Sequence, residues 1–180
     1  MKKRIFITIG LPDEIKRELL SYEKRWKNLH VKWTNFYKLH TTIEFLGEVN
    51  KNELEEILSA AEKTALEIKP FQMCLDKIVL GPDIVQARMF WVTILIDANM
   101  MRLKRTLEQN LKLCGFEAEE AEFKPHIVLA RARGNQLKGK QTNIVLRNMK
   151  FKAEKIEIME SQLRPNIEKH KLVESFQLAL

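Results

Sequence analysis

Apolar residues along the chain follow two periods, one typical of strands and one typical of helices. Eight short runs rich in β-branched and aromatic residues predict strands. These runs span residues 3–9, 31–33, 40–46, 71–79, 88–96, 125–131, 151–160 and 171–179. No segment between them resembles a flexible linker, so we expect residues 1–180 to form one domain, compact or divided into two small lobes.

Three helices are predicted between these strands. The first begins at Pro12, followed by two acidic residues at the positive end of the helix dipole, and continues to about residue 28. The second is capped by Asn50 or Asn52, and the third ends at Gly115. Apolar residues at 3/4 spacing mark the inner faces of the second and third helices: Leu54, Ile57, Leu58, Ala61, Ala65 and Ile68, then Met100, Leu103, Leu107, Leu111 and Cys114.

An internal repeat relates the two halves of the chain. Phe6-Ile7-Thr8-Ile9 resembles Trp91-Val92-Thr93-Ile94, and each segment is followed by a helix and then by a Lys-x-His tripeptide that enters a strand. The threonine precedes His40 by 32 residues in the first unit and precedes His126 by 33 in the second. The spacing alone could be coincidental, but the matched tripeptides favour two similar lobes. Packed about a pseudo-twofold axis, these lobes would turn both histidines toward one cleft.

The charge of the chain favours an anionic partner. Lys and Arg total 31 against 24 for Asp and Glu, which gives a net charge of +7 and a pI near 9.4. Acidic residues are interspersed almost throughout, so a Lys-rich solvated surface is the alternative interpretation.

Several features predict a cytoplasmic protein without metal or other cofactor. Cys74 and Cys114 lack a CxxC or disulfide-rich spacing, as is usual in a reducing cytosol. Gly10, Pro12 and Asp13 interrupt the apolar N-terminal run, unlike a signal peptide, and no apolar stretch approaches the roughly 20 residues of a membrane span. No H-x-x-x-H, H-E-x-x-H or cysteine cluster supplies metal ligands, and no Gly-rich loop suggests binding of a nucleotide triphosphate.

The strand that begins at His40 could supply acid–base chemistry. Alternate residues of a strand share a face, so we expect side chains 40, 42 and 44 on one face and side chains 41, 43 and 45 in the core. The hydroxyl of Thr42 could then hold a phosphate oxygen beside an imidazole, whose pKa of roughly 6.5 suits proton transfer near neutral pH. A single histidine on a strand is more often structural, whereas two such pairs could serve both ends of a phosphoryl displacement.

Two longer strings carry a family resemblance. His40-Thr41-Thr42-Ile43-Glu44-Phe45-Leu46-Gly47 resembles the H-x-T-x-x-F-L-G motif of the RNA 2′,3′-cyclic phosphodiesterases, historically called 2′-5′ RNA ligases, of the two-histidine phosphoesterase superfamily. His126-Ile127-Val128-Leu129-Ala130-Arg131 resembles the second motif, H-x-T-L-A-R. The resemblance extends to RIFITIGLPDEIKREL near the start, VKW before the first motif, MFWVTI midway and IEIMESQL near the end.

The resemblance implies an α+β fold with two pseudo-symmetric lobes, antiparallel sheets facing a central cleft and helices outside. It also implies hydrolysis of RNA 2′,3′-cyclic phosphate ends to 2′-phosphates without metal, and in some members 2′-5′ joining of RNA without ATP. We expect a monomer, and the sequence leaves open whether the substrate is a tRNA fragment, a short oligonucleotide or a smaller cyclic phosphate. By resemblance His40 would donate a proton to the leaving 3′ oxygen and His126 would accept the proton of the attacking water. Thr42 and Arg131 would bind the phosphate.

Two positions of the second motif require comment. Val128 stands where the family has threonine and cannot donate a hydrogen bond, a loss that typically costs about 10²- to 10³-fold in rate where the donor matters. The rival interpretation is therefore a weakened or inactive module that binds RNA ends. Strict alternation from His126 places Arg131 on the opposite face, so a bulge or the strand end must redirect it, unless it is an exposed surface arginine.

Other side chains could surround the substrate. Lys38, Lys124 and a basic connector with Arg131, Arg133, Lys138 and Lys140 could contact RNA phosphates, with a solvated surface as the alternative. Among the aromatic residues, Phe36 and Tyr37 could stack on bases, whereas core packing suits Trp91 better. We expect His30 and His170, which lack the neighbouring threonine, to be surface or structural residues, and Glu44 to form a salt bridge.

Overall fold

The computed structural model describes residues 2–83, 85–117, 122–132, 134, 136–137, 140, 142–164 and 167–179. These residues form ten strands and three helices, in the α+β class that was expected. In chain order the elements are β1 (Lys3–Gly10), α1 (Asp13–Ser21), β2 (Val31–Trp33), β3 (His40–Val49), α2 (Lys51–Glu67), β4 (Phe71–Gly81), β5 (Met89–Ile94), α3 (Ala98–Leu113), β6 (His126–Ala132), β7 (Asn143–Val145), β8 (Lys150–Ala153), β9 (Lys155–Arg164) and β10 (Ile167–Gln177).

Three elements differ from the sequence prediction. Helix α1 ends at Ser21 and a 3₁₀ turn follows, so the first helix is shorter than expected. The short strand β7 was not predicted. The run over 151–160 is two strands, because its buried positions change phase: Phe151 and Ala153 are odd-numbered, whereas Ile156 and Ile158 are even-numbered. The break separates β8, which pairs with β4, from β9, which pairs with β1.

The sheet consists of two antiparallel halves that meet at one pair of strands. Its order is β10-β9-β1-β3-β6-β5-β4-β7, with β2 beside β6 and β8 beside β4. The halves meet between β3 and β6, where the ladder pairs Thr41 with Ile127. The local twofold axis of this antiparallel pair relates His40 to His126 and Thr42 to Val128. The structure thus confirms the two pseudo-symmetric lobes.

The repeat aligns differently in the sheet than in the sequence. In the ladder, Gly10 of β1 pairs with His40, and Thr93 of β5 pairs with His126. Gly10 is therefore the structural counterpart of Thr93, whereas the sequence similarity matched Thr8 to it. The shift is two residues, which preserves the face on which each side chain lies because a strand has a period of two.

The helices bury apolar stripes against the sheet and leave its other face for the cleft. Helix α2 begins with a capping box formed by Asn50 and Glu53, which identifies Asn50 as the cap. Helices α2 and α3 pack together, and the Asn110 side chain donates a hydrogen bond to the Thr64 hydroxyl between them at 3.0 Å. Among the described residues no helix combines the length and apolar character of a membrane span.

A β-bulge in β3 changes which of its residues face the cleft. Thr42 and Glu44 pair with consecutive residues of β1, so Ile43 is an extra residue in the ladder. Ile43 and Glu44 are both buried, and Phe45 returns to the exposed face. The expected strict alternation is therefore wrong at Glu44 and Phe45: the glutamate points away from the cleft, and the phenylalanine faces it.

The buried Glu44 carboxylate forms an ion pair, as expected. Its partner is the ammonium group of Lys104 on α3, which also lies 3.0 Å from the Glu108 carboxylate. The same ammonium lies 5.3 Å from the ring centroid of Phe123. Because both charges of the Glu44–Lys104 pair are removed from water, either charge left alone would be costly.

We predict that Lys104→Met lowers the free energy of unfolding by about 3–5 kcal/mol, because it leaves the Glu44 carboxylate buried without its cation. Urea unfolding at pH 7 measures this quantity. The double change Glu44→Met with Lys104→Met should recover most of the loss. The matched control is Lys51→Met, which removes an exposed pair with Glu55 and should cost less than about 1 kcal/mol. Equal losses for Lys104→Met and Lys51→Met would contradict the prediction.

Candidate active site

The two predicted histidines line one cleft and are fixed in the same way. Nδ1 of His40 lies 2.7 Å from the backbone carbonyl oxygen of Lys38, and Nδ1 of His126 lies 2.7 Å from that of Lys124. A carbonyl oxygen only accepts, so each Nδ1 bears a hydrogen and donates it. If these rings exchange protons with a substrate, Nε2 is the nitrogen that would do so. The lysine two residues before each histidine contributes its backbone carbonyl to this arrangement.

An aromatic side chain lies against each imidazole, but the two contacts differ. The Trp91 ring stacks on His126 with centroids 3.7 Å apart and an interplanar angle of 20°, whereas Phe6 lies 5.4 Å from His40 at 38°. Gly81 permits the first contact, because a Cβ atom there would lie only 2.3 Å from the Trp91 ring. Trp91 therefore packs in the sheet, as expected, and also stacks on the His126 imidazole.

The environment of His126 favours its neutral form. Burial lowers the pKa of His126 below its ordinary value of 6.5, and the positive charge of Arg131 lowers it further, while the hydrogen bond to the Lys124 carbonyl opposes both effects. A neutral imidazole with Nδ1 protonated presents a lone pair at Nε2. His126 is thus suited to accept a proton at neutral pH.

The cleft has a volume of about 530 Å³ and a cationic lining. Four Lys and Arg side chains line it, namely Arg4, Lys32, Lys38 and Arg131. Three histidines also line it, namely His40, His126 and His170. None of the described residues that line it is acidic. A pocket of this charge attracts anions and concentrates them.

A second bulge turns Arg131 toward the cleft. Val128 and Ala130 pair with consecutive residues of β5, so Leu129 is an extra residue in the ladder. Arg131 then lines the cleft, and its guanidinium lies 2.9 Å from the Met89 sulfur. Of the two expected causes, a bulge or the strand end, the register of the ladder shows the bulge.

Thr42 and Val128 also line the cleft, at positions related by the twofold axis. One member of this pair has a hydroxyl group and the other has only methyl groups. The histidines are thus arranged symmetrically, whereas the hydrogen-bonding groups beside them are not.

Three predicted substrate-binding residues lie outside the cleft lining. The ammonium group of Lys124 is 2.8 Å from the Glu122 carboxylate, and the side chain of Lys124 is well exposed. Phe36 packs edge-on against Tyr37, and Tyr37 borders a second cavity behind His40. Of the basic connector, Arg131 lines the cleft and Lys140 borders a separate surface pocket. Arg133 and Lys138 lie outside the described residues.

The sequence analysis did not identify several of the residues that line the cleft, among them Arg4, Lys32, Phe45, Ser161 and His170. Phe45 is part of the first motif but was assigned to the core because the bulge was not foreseen. His170 was expected at the surface or in a structural role, yet its ring centroid lies 5.4 Å from that of His40. The pairing of β1 with β9 and of β9 with β10 brings His170 beside His40. No local motif indicates the register of these pairings.

The described part of the chain contains no group of three or more His, Cys, Asp or Glu side chains arranged to hold a metal ion. Two carboxylates in this part of the sheet form ion pairs with lysines. Glu44 pairs with Lys104, and Glu157 pairs with Lys155 at 2.6 Å.

We predict that Arg131→Gln raises the pKa of His126, because it removes a positive charge that disfavours the imidazolium form. The titration midpoint of the His126 ring protons, followed by NMR, should move to higher pH. The control is Arg17→Gln, which removes an exposed cation paired with Asp13 on α1 and should leave that midpoint in place. An unchanged or lower midpoint in Arg131→Gln would show that the guanidinium does not act on this histidine.

Comparison with known proteins gives a consistent assignment. Residues 9–91 match the model of the family described as LigT like phosphoesterase. The RNA 2′,3′-cyclic phosphodiesterase of Methanocaldococcus jannaschii is 29% identical over 168 residues, which cover 91% of this chain and 94% of that protein. The enzyme of the same name from Thermus thermophilus is 26% identical over 187 residues, covering 97% and 90%.

Solved structures show the same fold. A protein from Thermus thermophilus superposes with a TM-score of 0.86 at 22% identity and 97% coverage of both chains. Escherichia coli LigT complexed with 3′-AMP superposes with a TM-score of 0.83 at 19% identity and full coverage of both chains. This chain is similar to the LigT-like phosphoesterases in its matched segment, in relatives aligned over nearly its whole length and in its fold.

Proposed function

We propose that this chain is a phosphodiesterase that opens RNA 2′,3′-cyclic phosphate ends to 2′-phosphates, with His40 and His126 as its general acid and general base. The supporting observation is the pair of imidazoles related by the twofold axis, each held by a carbonyl two residues earlier, in one cation-lined cleft. The names of the curated relatives agree with this activity.

The proposed reaction is an in-line displacement at phosphorus. Nε2 of His126 accepts a proton from water as the water oxygen bonds to phosphorus, and the bond between phosphorus and the 3′ oxygen breaks. Nε2 of His40 donates its proton to that oxygen, so the product carries a 2′-phosphate and a 3′-hydroxyl. The two histidines end in exchanged protonation states, and solvent restores them.

The electrostatics support this assignment of roles. A general base must be neutral before it reacts, and burial together with Arg131 keeps the pKa of His126 below 6.5. The negative charge of the phosphate in turn favours a protonated His40, since a nearby anion stabilises the imidazolium form. Thr42, Lys38 and Arg131 line the same cleft and supply the hydrogen bonds and positive charge that a phosphate requires.

Two variants of this function use the same groups. If a 5′-hydroxyl of a second RNA replaces water at His126, the reaction joins two RNA ends through a 2′-5′ linkage. Alternatively, the chain binds RNA ends with little turnover, which the valine at position 128 favours because it removes one donor from the cleft. The presence of both oriented histidines favours the enzyme.

We predict that the protein hydrolyses a 2′,3′-cyclic-phosphate oligonucleotide in the presence of EDTA, with the 2′-phosphate as the product identified by phosphorus NMR. Either His40→Ala or His126→Ala should remove most of the activity while RNA binding persists. Loss of activity on adding EDTA, or full activity in His40→Ala, would contradict the paired mechanism.

The pH dependence of kcat/KM is a second test of the paired mechanism. An acid and a base predict a bell-shaped profile. The ascending limb should lie below pH 6.5, because His126 must lose its proton and its pKa is lowered. The descending limb should follow loss of the proton from His40. A profile with one limb would mean that only one group titrates in the reaction.

We predict that Val128→Thr raises kcat on a cyclic phosphate by on the order of 10-fold, with a smaller effect on KM. The new hydroxyl would lie where the twofold axis places the counterpart of the Thr42 hydroxyl, close to charge that develops in the transition state. Stability should change little, because valine and threonine have similar shapes and both suit a strand. The reciprocal change Thr42→Val should lower kcat. An unchanged kcat in an active, folded Val128→Thr protein would show that this position does not approach the phosphate.

A further inference from the structure

Three polar residues form a row across β1, β9 and β10, in the half of the sheet that contains His40. Arg4 of β1 pairs in register with Ser161 of β9, and Ser161 pairs with His170 of β10. Residues directly opposite one another in neighbouring strands point to the same face of the sheet. All three residues line the cleft, so their polar groups are presented at one end of it.

The row lies on the His40 side of the cleft. The ring centroid of His170 is 5.4 Å from that of His40 and 5.0 Å from that of Phe6. Arg4 is two residues from Phe6 along β1, on the same face, which is a separation of about 7 Å. His126 belongs to the other half of the sheet.

The charges at this end of the cleft favour an anion. Glu48 is the register partner of Arg4 on β3, yet the described residues give the Arg4 guanidinium no ion pair within 4.0 Å. The cavity on the opposite side of His40 and His170 is different, since its lysines are matched by acidic partners. Those pairs are Lys16 with Asp13, Lys152 with Glu154, and Lys155 with Glu157. An anionic chain that passes His40 would therefore be drawn toward Arg4.

The mechanism proposed above gives the direction of the RNA. The leaving 3′ oxygen belongs to the terminal ribose, so the ribose must lie on the side of the acid, His40. Water, by contrast, enters on the side of His126. The phosphate attached to the 5′ oxygen of that same ribose is thus the next anion on the His40 side.

We propose that Arg4, Ser161 and His170 form a second phosphate subsite, which binds the 5′-phosphate group of the terminal nucleoside. This inference rests on the proposed function for its orientation. Arg4 supplies charge and up to two parallel N–H donors, and the Ser161 hydroxyl and a His170 ring N–H supply further donors. The enzyme would thereby recognise an RNA end in preference to a free nucleoside 2′,3′-cyclic phosphate.

Calorimetric binding of two product analogues tests the subsite without requiring turnover. Adenosine 2′-phosphate and adenosine 2′,5′-bisphosphate share a base, a ribose and the 2′-phosphate, so the ratio of their Kd values isolates the 5′-phosphate. The unmodified protein should bind the bisphosphate more tightly by on the order of 10-fold, the value of one charge-assisted contact. Arg4→Gln should remove most of that preference, and Arg4→Lys should restore part of it.

Controls separate a contact from a general effect of charge. Arg105→Gln makes the same change on the exposed face of α3, away from the cleft, and should keep the preference. His170→Gln should reduce it, since a ring donor is lost. If Arg4→Gln keeps the preference in a folded protein, or if Arg105→Gln lowers it equally, the subsite is wrong.

A kinetic comparison distinguishes failure of the subsite from failure of the proposed function. The substrates are adenosine 2′,3′-cyclic phosphate with and without a 5′-phosphate. In Arg4→Gln the ratio of their kcat/KM values should fall by on the order of 10-fold. Absence of hydrolysis of both substrates by the unmodified protein would overturn the proposed function, and the binding ratio would still decide the subsite. Hydrolysis of both with an unchanged ratio would overturn the subsite alone.

Discussion

The contact between β3 and β6 determines the geometry of the whole site. The ladder joins Thr41 to Ile127, both fully buried, and every other strand is arranged outward from that junction. An antiparallel pair has a local twofold axis, so one pairing places two similar sequence units face to face. The histidines immediately before these two residues consequently reach the same cleft from opposite halves of the sheet. A slip of one residue in either strand at this junction would send the imidazole of that strand toward the core.

Symmetry orients the catalytic candidates, and departures from symmetry make their environments different. Thr42 corresponds to Val128, and Phe45 corresponds to Arg131. One half therefore combines a hydroxyl with an exposed aromatic ring, which is 57% accessible, and the other combines methyl groups with a guanidinium. An acid and a base need unlike surroundings, because at the same pH one imidazole must hold its proton while the other has lost it. The burial and positive charge around His126 would meet this requirement for the base that we propose.

Much of the fold and part of the site could be predicted from the sequence. Strand and helix periodicity located most elements, and the two Lys-x-His tripeptides located both histidines, because these signals are local. Arg4, Ser161 and His170 gave no such signal, since their proximity depends on the register between β1, β9 and β10. Glu44 and Phe45 were assigned to the wrong faces because an extra residue in a ladder leaves no mark in a pattern of period two. The phase change between Ala153 and Ile156, in contrast, is visible in the sequence itself.

The paired bulges explain a spacing that the motif itself leaves unexplained. In both histidine strands, two consecutive buried residues separate the second position after the histidine from the next residue that faces the cleft: Ile43 and Glu44 in β3, and Leu129 and Ala130 in β6. The two unspecified positions between T and F in H-x-T-x-x-F thus have a structural meaning. They are the two residues that the bulge buries before the strand again presents a side chain to the cleft. If one of these two residues were deleted, the strand would keep its histidine and hydroxyl but would present the wrong side chain at the far edge of the cleft. Transplanting this site to another sheet therefore requires copying a backbone irregularity along with its side chains.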